Sequence, residues 1–266
     1  MSICPDGPVK IGPYAFHSRL FVGTGKYMSD AIMQEAITAS GTELVTVALR
    51  RVDLSQPKKP SLLEALPSSV KILPNTAGCH TVQDALLVAD IARAAGIGDL
   101  IKLEMIGDNE WLWPDPILTL EATKRLVQKG FAVMVYTSPD PVLAKHLEDE
   151  GAAAVMPLGS PIGSGQGIVN TEVIGRIKER VTRVPIVVDA GIGAAADAAM
   201  AMELGADAVL INTAIALAQD PVAMAQAMKW AVMAGRQGFL AGRMTKQWRA
   251  SASSPAQGQV RAHVPS

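Results

Sequence analysis

The chain has 266 residues, 24 Lys and Arg against 25 Asp and Glu, and 49% hydrophobic residues, while aromatics make up only 4%. This balance leaves no basic face for a nucleic-acid partner and no acidic tail. No run approaches the roughly 18 apolar residues of a membrane helix, and the first residues lack the charged-then-apolar order of a secretory signal. Cys4 and Cys79 have neither metal-ligand nor CxxC spacing, so two reduced thiols in a cytoplasmic protein are expected rather than a disulfide framework.

Short apolar runs alternate with amphipathic segments along the chain. Strands are predicted at residues 20–23, 43–48 and 71–74, followed by a helix at 81–95. A strand at 100–106 precedes a helix at 116–129, a strand at 131–136 precedes a helix at 141–150, and strands follow at 153–157 and 185–189. A helix at 194–204, a strand at 207–212 and a helix at 221–234 complete the pattern. Glycines 41, 130, 151 and 205 stand where a helix closes before a strand, a position that favours left-handed backbone. Eight strand–helix units in about 250 residues predict a single-domain (β/α)₈ TIM barrel over residues 1–249. The alternative is an open doubly wound sheet, although no dinucleotide glycine fingerprint follows the first strand. Residues 250–266 are small and polar, which predicts a mobile tail.

The strand around Ile101-Lys102-Leu103-Glu104 carries the strongest chemical signal. Side chains alternate across a strand, so Lys102 and Glu104 share one face and the apolar residues the other. In a barrel the apolar face meets the helices, and Lys102 and Glu104 point into the lumen. Burial there lowers a lysine pKa and supplies the neutral amine that attacks carbonyls, with Glu104 placed to move protons. An exposed ion pair on a half-solvated antiparallel strand gives the same alternation.

Further candidates lie at the carboxyl ends of later strands. Asp189 ends an apolar run and is followed by Ala190-Gly191-Ile192-Gly193, whose N–H groups at a helix start suit an anion. Asn212 and Thr213 leave the eighth strand, the other half of the usual barrel phosphate site. Turn chemistry and helix capping give the same residues. The glycine-rich stretch 159–167, containing Gly163, lacks the Lys-Ser or Lys-Thr of a Walker loop; it either wraps a phosphate through backbone N–H groups or is a linker. Asn75-Thr76 and Arg50-Arg51 are weaker candidates, the histidines form no motif, and Met224, Met228 and Met233 read as core or subunit interface.

These segments, in order, resemble the thiazole synthase family of thiamin biosynthesis. The matching stretches are Leu49-Arg50-Arg51, Leu73-Pro74-Asn75-Thr76-Ala77-Gly78, Ile101-Lys102-Leu103-Glu104, Ser160-Pro161-Ile162-Gly163-Ser164-Gly165, Asp189-Ala190-Gly191-Ile192-Gly193, the run 201–210, Asn212-Thr213-Ala214-Ile215-Ala216 and Ala241-Gly242-Arg243. Ser253-Ser254-Pro255 in the tail also looks like the family's ending. The resemblance implies a sulfur-incorporating transferase that condenses 1-deoxy-D-xylulose 5-phosphate, dehydroglycine and sulfur from a thiocarboxylated ubiquitin-like carrier protein into thiazole phosphate carboxylate. It implies that Lys102 forms an imine with the sugar, that Glu104 and Asp189 move protons, and that Gly163, Ala190, Gly191, Asn212 and Thr213 hold the phosphate. It also implies a homotetramer, with no metal and no organic cofactor. The chain departs from the family after the fifth strand, where Pro139 replaces one of two acids and Asp140 remains.

Two other readings stay open on the residues alone. One is a different Schiff-base barrel such as an aldolase, which would turn over without a sulfur carrier. The other is a non-catalytic phosphate-binding barrel, against which stands the cost of burying Lys102 and Glu104 without a use.

Overall fold

The structure, a computed structural model, describes residues 6–49 and 66–253. Arg50-Arg51, Cys4, His263 and most of the expected tail lie outside these residues. The chain opens with an antiparallel hairpin, β1 (Val9–Ile11) and β2 (Tyr14–Phe16). The alternating pattern then follows: β3 (Leu20–Gly23), α1 (Asp30–Ser40), β4 (Leu44–Ala48), β5 (Lys71–Asn75), α2 (Val82–Ala94) and β6 (Leu100–Leu103). A second hairpin, β7 (Ile106–Asp108) and β8 (Trp113–Pro114), precedes α3 (Pro116–Gln128). The remainder is β9 (Ala132–Thr137), α4 (Pro141–Asp149), β10 (Ala154–Pro157), α5 (Thr171–Arg180), β11 (Val187–Asp189), α6 (Ala195–Glu203), β12 (Ala208–Ile211), α7 (Thr213–Ala216) and α8 (Pro221–Ala241).

Eight strands form one parallel sheet in the order β10-β9-β6-β5-β4-β3-β12-β11. Parallel bridges Val155–Ile186 and Leu158–Asp189 join its two ends, so the sheet closes into the expected (β/α)₈ barrel and the open doubly wound alternative fails. Each strand sends alternate residues inward and outward. Ile101 and Leu103 of β6 join the core beneath α2 and α3, with Ala85, Ala89, Ala122 and Leu126. Leu100 points inward with Phe21, Leu44, Leu73, Met134, Met156 and Val187. Val9, Ile11 and Phe16 of the first hairpin belong to that same inner cluster, and Phe16 meets Phe21 edge-on with ring centroids 5.6 Å apart. The hairpin therefore plugs the end of the barrel where the strands begin.

Capping explains the helix starts. Ser29, Thr81, Asp115, Asp140, Asn170 and Asp220 each accept a backbone N–H from the first turn of the helix that follows. Asp140, the acid retained after β9, has this role, and Pro141 stands in the first turn.

Three expectations need correction. The predicted strand 100–106 ends at Leu103, because Thr76 takes both backbone groups of Glu104 and Ile106 starts a separate hairpin. The last helix continues to Ala241 rather than stopping at 234. Gly235 does not break it but packs flat on α6, where a Cβ would lie 2.4 Å from the Ala199 carbonyl oxygen. The two small hairpins, α1 and α5 were absent from the predicted elements. Met228 is fully buried and Met224 packs against the same cluster, so the core reading holds for this pair. No helix among the described residues is long and apolar enough to cross a membrane.

Candidate active site

The carboxyl ends of the barrel strands surround a cavity of about 630 Å³. Lys102, Glu104, Gly163, Asp189, Ala190, Gly191, Asn212 and Thr213 all line it, together with Thr46, Asn75, Ile162, Ile192, Leu210 and Ile211. Every predicted site residue thus meets the same space. A second cavity of about 650 Å³ opens at the opposite end, between the start of β3, α1 and α8, but none of the predicted residues reaches it.

Lys102 occupies the centre of the first cavity. Its Nζ lies 3.2 Å from Glu104 Oε1 and 2.5 Å from Asp189 Oδ2. All three side chains are buried. Below them the lumen is apolar, so the polar layer sits on a dry floor. Burial pulls the Lys102 ammonium towards neutrality, but the charges of Asp189 and Glu104, both within ion-pair distance, outweigh it. The group is held above the ordinary lysine range. This corrects the expectation that burial supplies neutral amine: two facing carboxylates reverse the sign. Burial raises the Asp189 carboxyl; Lys102 opposes that shift and Glu104 adds to it.

Thr76 fixes the carboxylate that leaves β6. Its Oγ1 accepts the Glu104 N–H at 2.8 Å and donates to the Glu104 carbonyl at 2.9 Å, and its own N–H donates to the Lys102 carbonyl at 3.1 Å. Thr46 receives the Asn75 amide at 3.3 Å, and the Thr46 carbonyl accepts the Thr24 hydroxyl at 3.1 Å. Tyr136 lies under the lysine, with Nζ 5.8 Å from its ring centre. Burial first, then Asp189 and Glu104, push its phenol pKa up, so it stays protonated and donates to the Leu112 carbonyl at 3.4 Å. Thr46 and Tyr136 were missed as site residues. Thr76 was visible as a weaker candidate for polar contacts, with ordinary turn chemistry as the alternative.

The glycine-rich segment after β10 lies directly on the turn after β11. Gly167 N–H donates to the Gly191 carbonyl at 2.8 Å, and Gly159 N–H donates to the Ala190 carbonyl at 3.3 Å. Ala190 and Gly191 both adopt left-handed backbone, with φ of 67° and 82°. At Gly191 a Cβ would fall 2.1 Å from Ser160 Oγ and 2.4 Å from Ser160 N, so this contact admits only glycine. The anion reading of the following helix start is corrected in part. The N–H groups of Gly193 and Ala194 donate to Asp197 Oδ2 at 3.0 and 2.9 Å, so α6 is capped by its own carboxylate. Asn212 keeps a buried Oδ1 that has no hydrogen-bond partner among the described residues. Its side chain fits only because residue 23 is glycine: a Cβ there would lie 2.6 Å from Asn212 Cβ. Cys79 is buried in the outer core beside Val82 and Ala85, outside this cavity.

The family model for thiazole biosynthesis protein ThiG matches residues 10–255. The chain belongs to the thiazole synthase family. A thiazole synthase of Sorangium cellulosum is 56% identical over 95% of this chain and 97% of its own length. A bifunctional ThiO/ThiG protein of a Nostoc species is 55% identical over 96% of this chain, which spans 40% of that longer protein. Among solved structures, that of the Amycolatopsis orientalis BexX/CysO complex superposes with a TM-score of 0.82 at 34% identity, covering 92% of this chain and all of that one. The protein is thus a thiazole synthase of thiamin biosynthesis, and the aldolase and non-catalytic readings are set aside on family membership.

Proposed function

We propose that Lys102 forms an imine with C2 of 1-deoxy-D-xylulose 5-phosphate and that Glu104 and Asp189 move the protons that follow. The observation that carries this reading is the single buried ammonium held between two carboxylates in a cavity with one apolar end. Lys102 first passes a proton to a carboxylate, for which Asp189 is suited by its closeness and its raised pKa. The neutral amine then adds to the ketone, and loss of water leaves the imine. Proton transfers through Glu104 and Asp189 shift the carbonyl to C3, where the sulfur of a thiocarboxylated carrier protein adds; the C3 oxygen takes over the carrier's acyl group as its C–S bond breaks, and the carrier leaves as its carboxylate. Condensation with dehydroglycine completes thiazole phosphate carboxylate. Gly163, Ala190, Gly191, Asn212 and Thr213 hold the phosphate.

The Amycolatopsis relative was crystallised as a complex with CysO, which supports a sulfur-carrier partner for this chain. A homotetrameric assembly in the cytoplasm belongs to the same reading. Trp230, 63% exposed on α8, with Phe239 and Leu240, offers apolar surface for subunit contact. The barrel domain over 1–249, with the remainder as a tail, completes it.

The test is to incubate the protein with 1-deoxy-D-xylulose 5-phosphate, reduce with borohydride and map the product by peptide mass spectrometry. An adduct on Lys102 that disappears in Lys102→Ala is expected. An adduct on another lysine, or none from folded protein, would remove the imine reading.

A further inference from the structure

The segment Gly25-Lys26-Tyr27, between β3 and α1, has no part in the site described so far. We infer that Lys26 is a substrate-binding residue whose ammonium receives the phosphate end of the sugar, an inference that rests on the substrate proposed above.

Three observations place it there. Its Nζ lies 3.3 Å from the point where a Cβ on Gly163 would stand, and Thr213 Oγ1 lies 3.7 Å from the same point. Gly163 and Thr213 both line the cavity, so the lysine head stands at its rim beside two phosphate-site candidates. Second, Lys26 has left-handed backbone, with φ of 69°. That conformation is strained for a residue with a side chain. Ala190, which lines the cavity, is another of the three non-glycine positions with positive φ among the described residues. Strain of this kind marks positions where a side chain is held for use. Third, Lys26 is exposed and forms no ion pair with any described carboxylate.

Charge supplies the reason. The ionisable groups lining the cavity are Lys102, Glu104 and Asp189, one cation against two carboxylates. A phosphate monoester brings a further charge of about −1.5 to −2 and is repelled by that lining. Backbone N–H groups supply dipoles but no net charge. A cation at the rim, beside Gly163 and Thr213, offsets the repulsion and fixes which end of the sugar faces outward.

The experiment measures adduct trapped on Lys102 against concentration, for 1-deoxy-D-xylulose 5-phosphate and for unphosphorylated 1-deoxy-D-xylulose, in the unmodified protein, Lys26→Met and Lys26→Arg. Methionine keeps much of the stem without the charge. Lys26→Met is expected to raise the half-saturating concentration of the phosphate ester roughly 10- to 100-fold, to leave the plateau nearly unchanged and to leave the unphosphorylated sugar unaffected; Lys26→Arg recovers most of the loss. An unchanged half-saturation, or an equal loss with the unphosphorylated sugar, would overturn the inference. If the unmodified protein forms no adduct, the imine reading fails instead. Lys26 is then decided by the rise in Tm that inorganic phosphate produces, which Lys26→Met must diminish if the inference stands and leaves intact if it does not.

Discussion

Lys102 Nζ meets Asp189 Oδ2 at 2.5 Å although their strands, β6 and β11, are not neighbours in the sheet. The contact crosses the lumen and exists only because the ring is closed. It makes the protonation of the lysine a property of the whole barrel.

The first prediction concerns pH. Asp189 and Glu104 hold Lys102 above its ordinary range against burial, so trapping of the imine should accelerate as pH rises into the alkaline region. Glu104→Gln removes one facing charge while burial remains. The lysine pKa then falls, and the alkaline limb of the pH–rate profile should move to lower pH by about one pH unit or more. An unmoved limb would show that the carboxylate does not control the amine.

Loss of Asp189 should slow the chemistry. Asp189→Asn keeps the shape and removes the proton acceptor nearest to Nζ. Single-turnover adduct formation at neutral pH is expected to fall roughly 10²- to 10⁴-fold. A loss under fivefold would assign the proton transfer to Glu104 or to solvent.

Thr76 gives a structural prediction with a catalytic echo. Thr76→Val leaves the Glu104 N–H buried without its acceptor, at a cost of about 1–3 kcal/mol. Thr76→Ser retains the hydroxyl and should recover most of that stability in urea denaturation, together with most of the activity. A Thr76→Ser variant that loses as much as Thr76→Val would show that the hydroxyl does not account for the loss.

Gly23→Ala tests the seat of Asn212. The backbone at residue 23 is ordinary, so the effect is steric: the new Cβ meets Asn212 at 2.6 Å. About 1–3 kcal/mol of stability should be lost, and ligand affinity should fall with it. Paired Gly23→Ala and Asn212→Gly changes, the second of which removes the clashing Cβ, should be less than additive when measured by thermal unfolding.

A fourth site lies away from the cavity. Asp6 bridges the buried side chains of Arg19, at 2.8 Å, and Arg236. Burial raises its carboxyl, but the hydrogen bond from Arg236 and the two guanidinium charges outweigh this and lower it overall. A lowered carboxyl contributes stability that is present above its ordinary value of 3.8 and is lost as pH falls through the lowered value. Asp6→Asn should cost about 2–3 kcal/mol near neutrality, and the difference from the unmodified protein should shrink in strong acid. A constant difference down to acid unfolding would disprove the linkage.

What the sequence revealed follows its periods. Lys102 and Glu104 were legible because alternation against Ile101 and Leu103 assigns their side of the strand. Asp189 and Asn212 were legible as polar residues ending apolar runs. Tyr136 and Thr46 were not, since each sits inside a strand where aromatic and Thr residues are ordinary. The sign of the lysine shift was misread because it depends on Asp189, whose distance from Lys102 no local pattern encodes. The hairpin at residues 106–114 hid behind Met105, which continues the apolar alternation of Ile101 and Leu103 as if the strand went on. Gly175 and Gly235 obscured α5 and the last turns of α8, where one faces open space and the other serves close packing.

The plug formed by Val9, Ile11 and Phe16 has a consequence for traffic. With that end stoppered, the lumen enclosed by the described residues is a blind well that opens at the carboxyl ends of the strands. Whatever reaches Lys102 and whatever leaves it must share that opening, so arrivals are forced into a queue. The residues around the rim then govern admission and departure alike, and a substitution that widens the opening should hasten release while loosening retention of what has already been made.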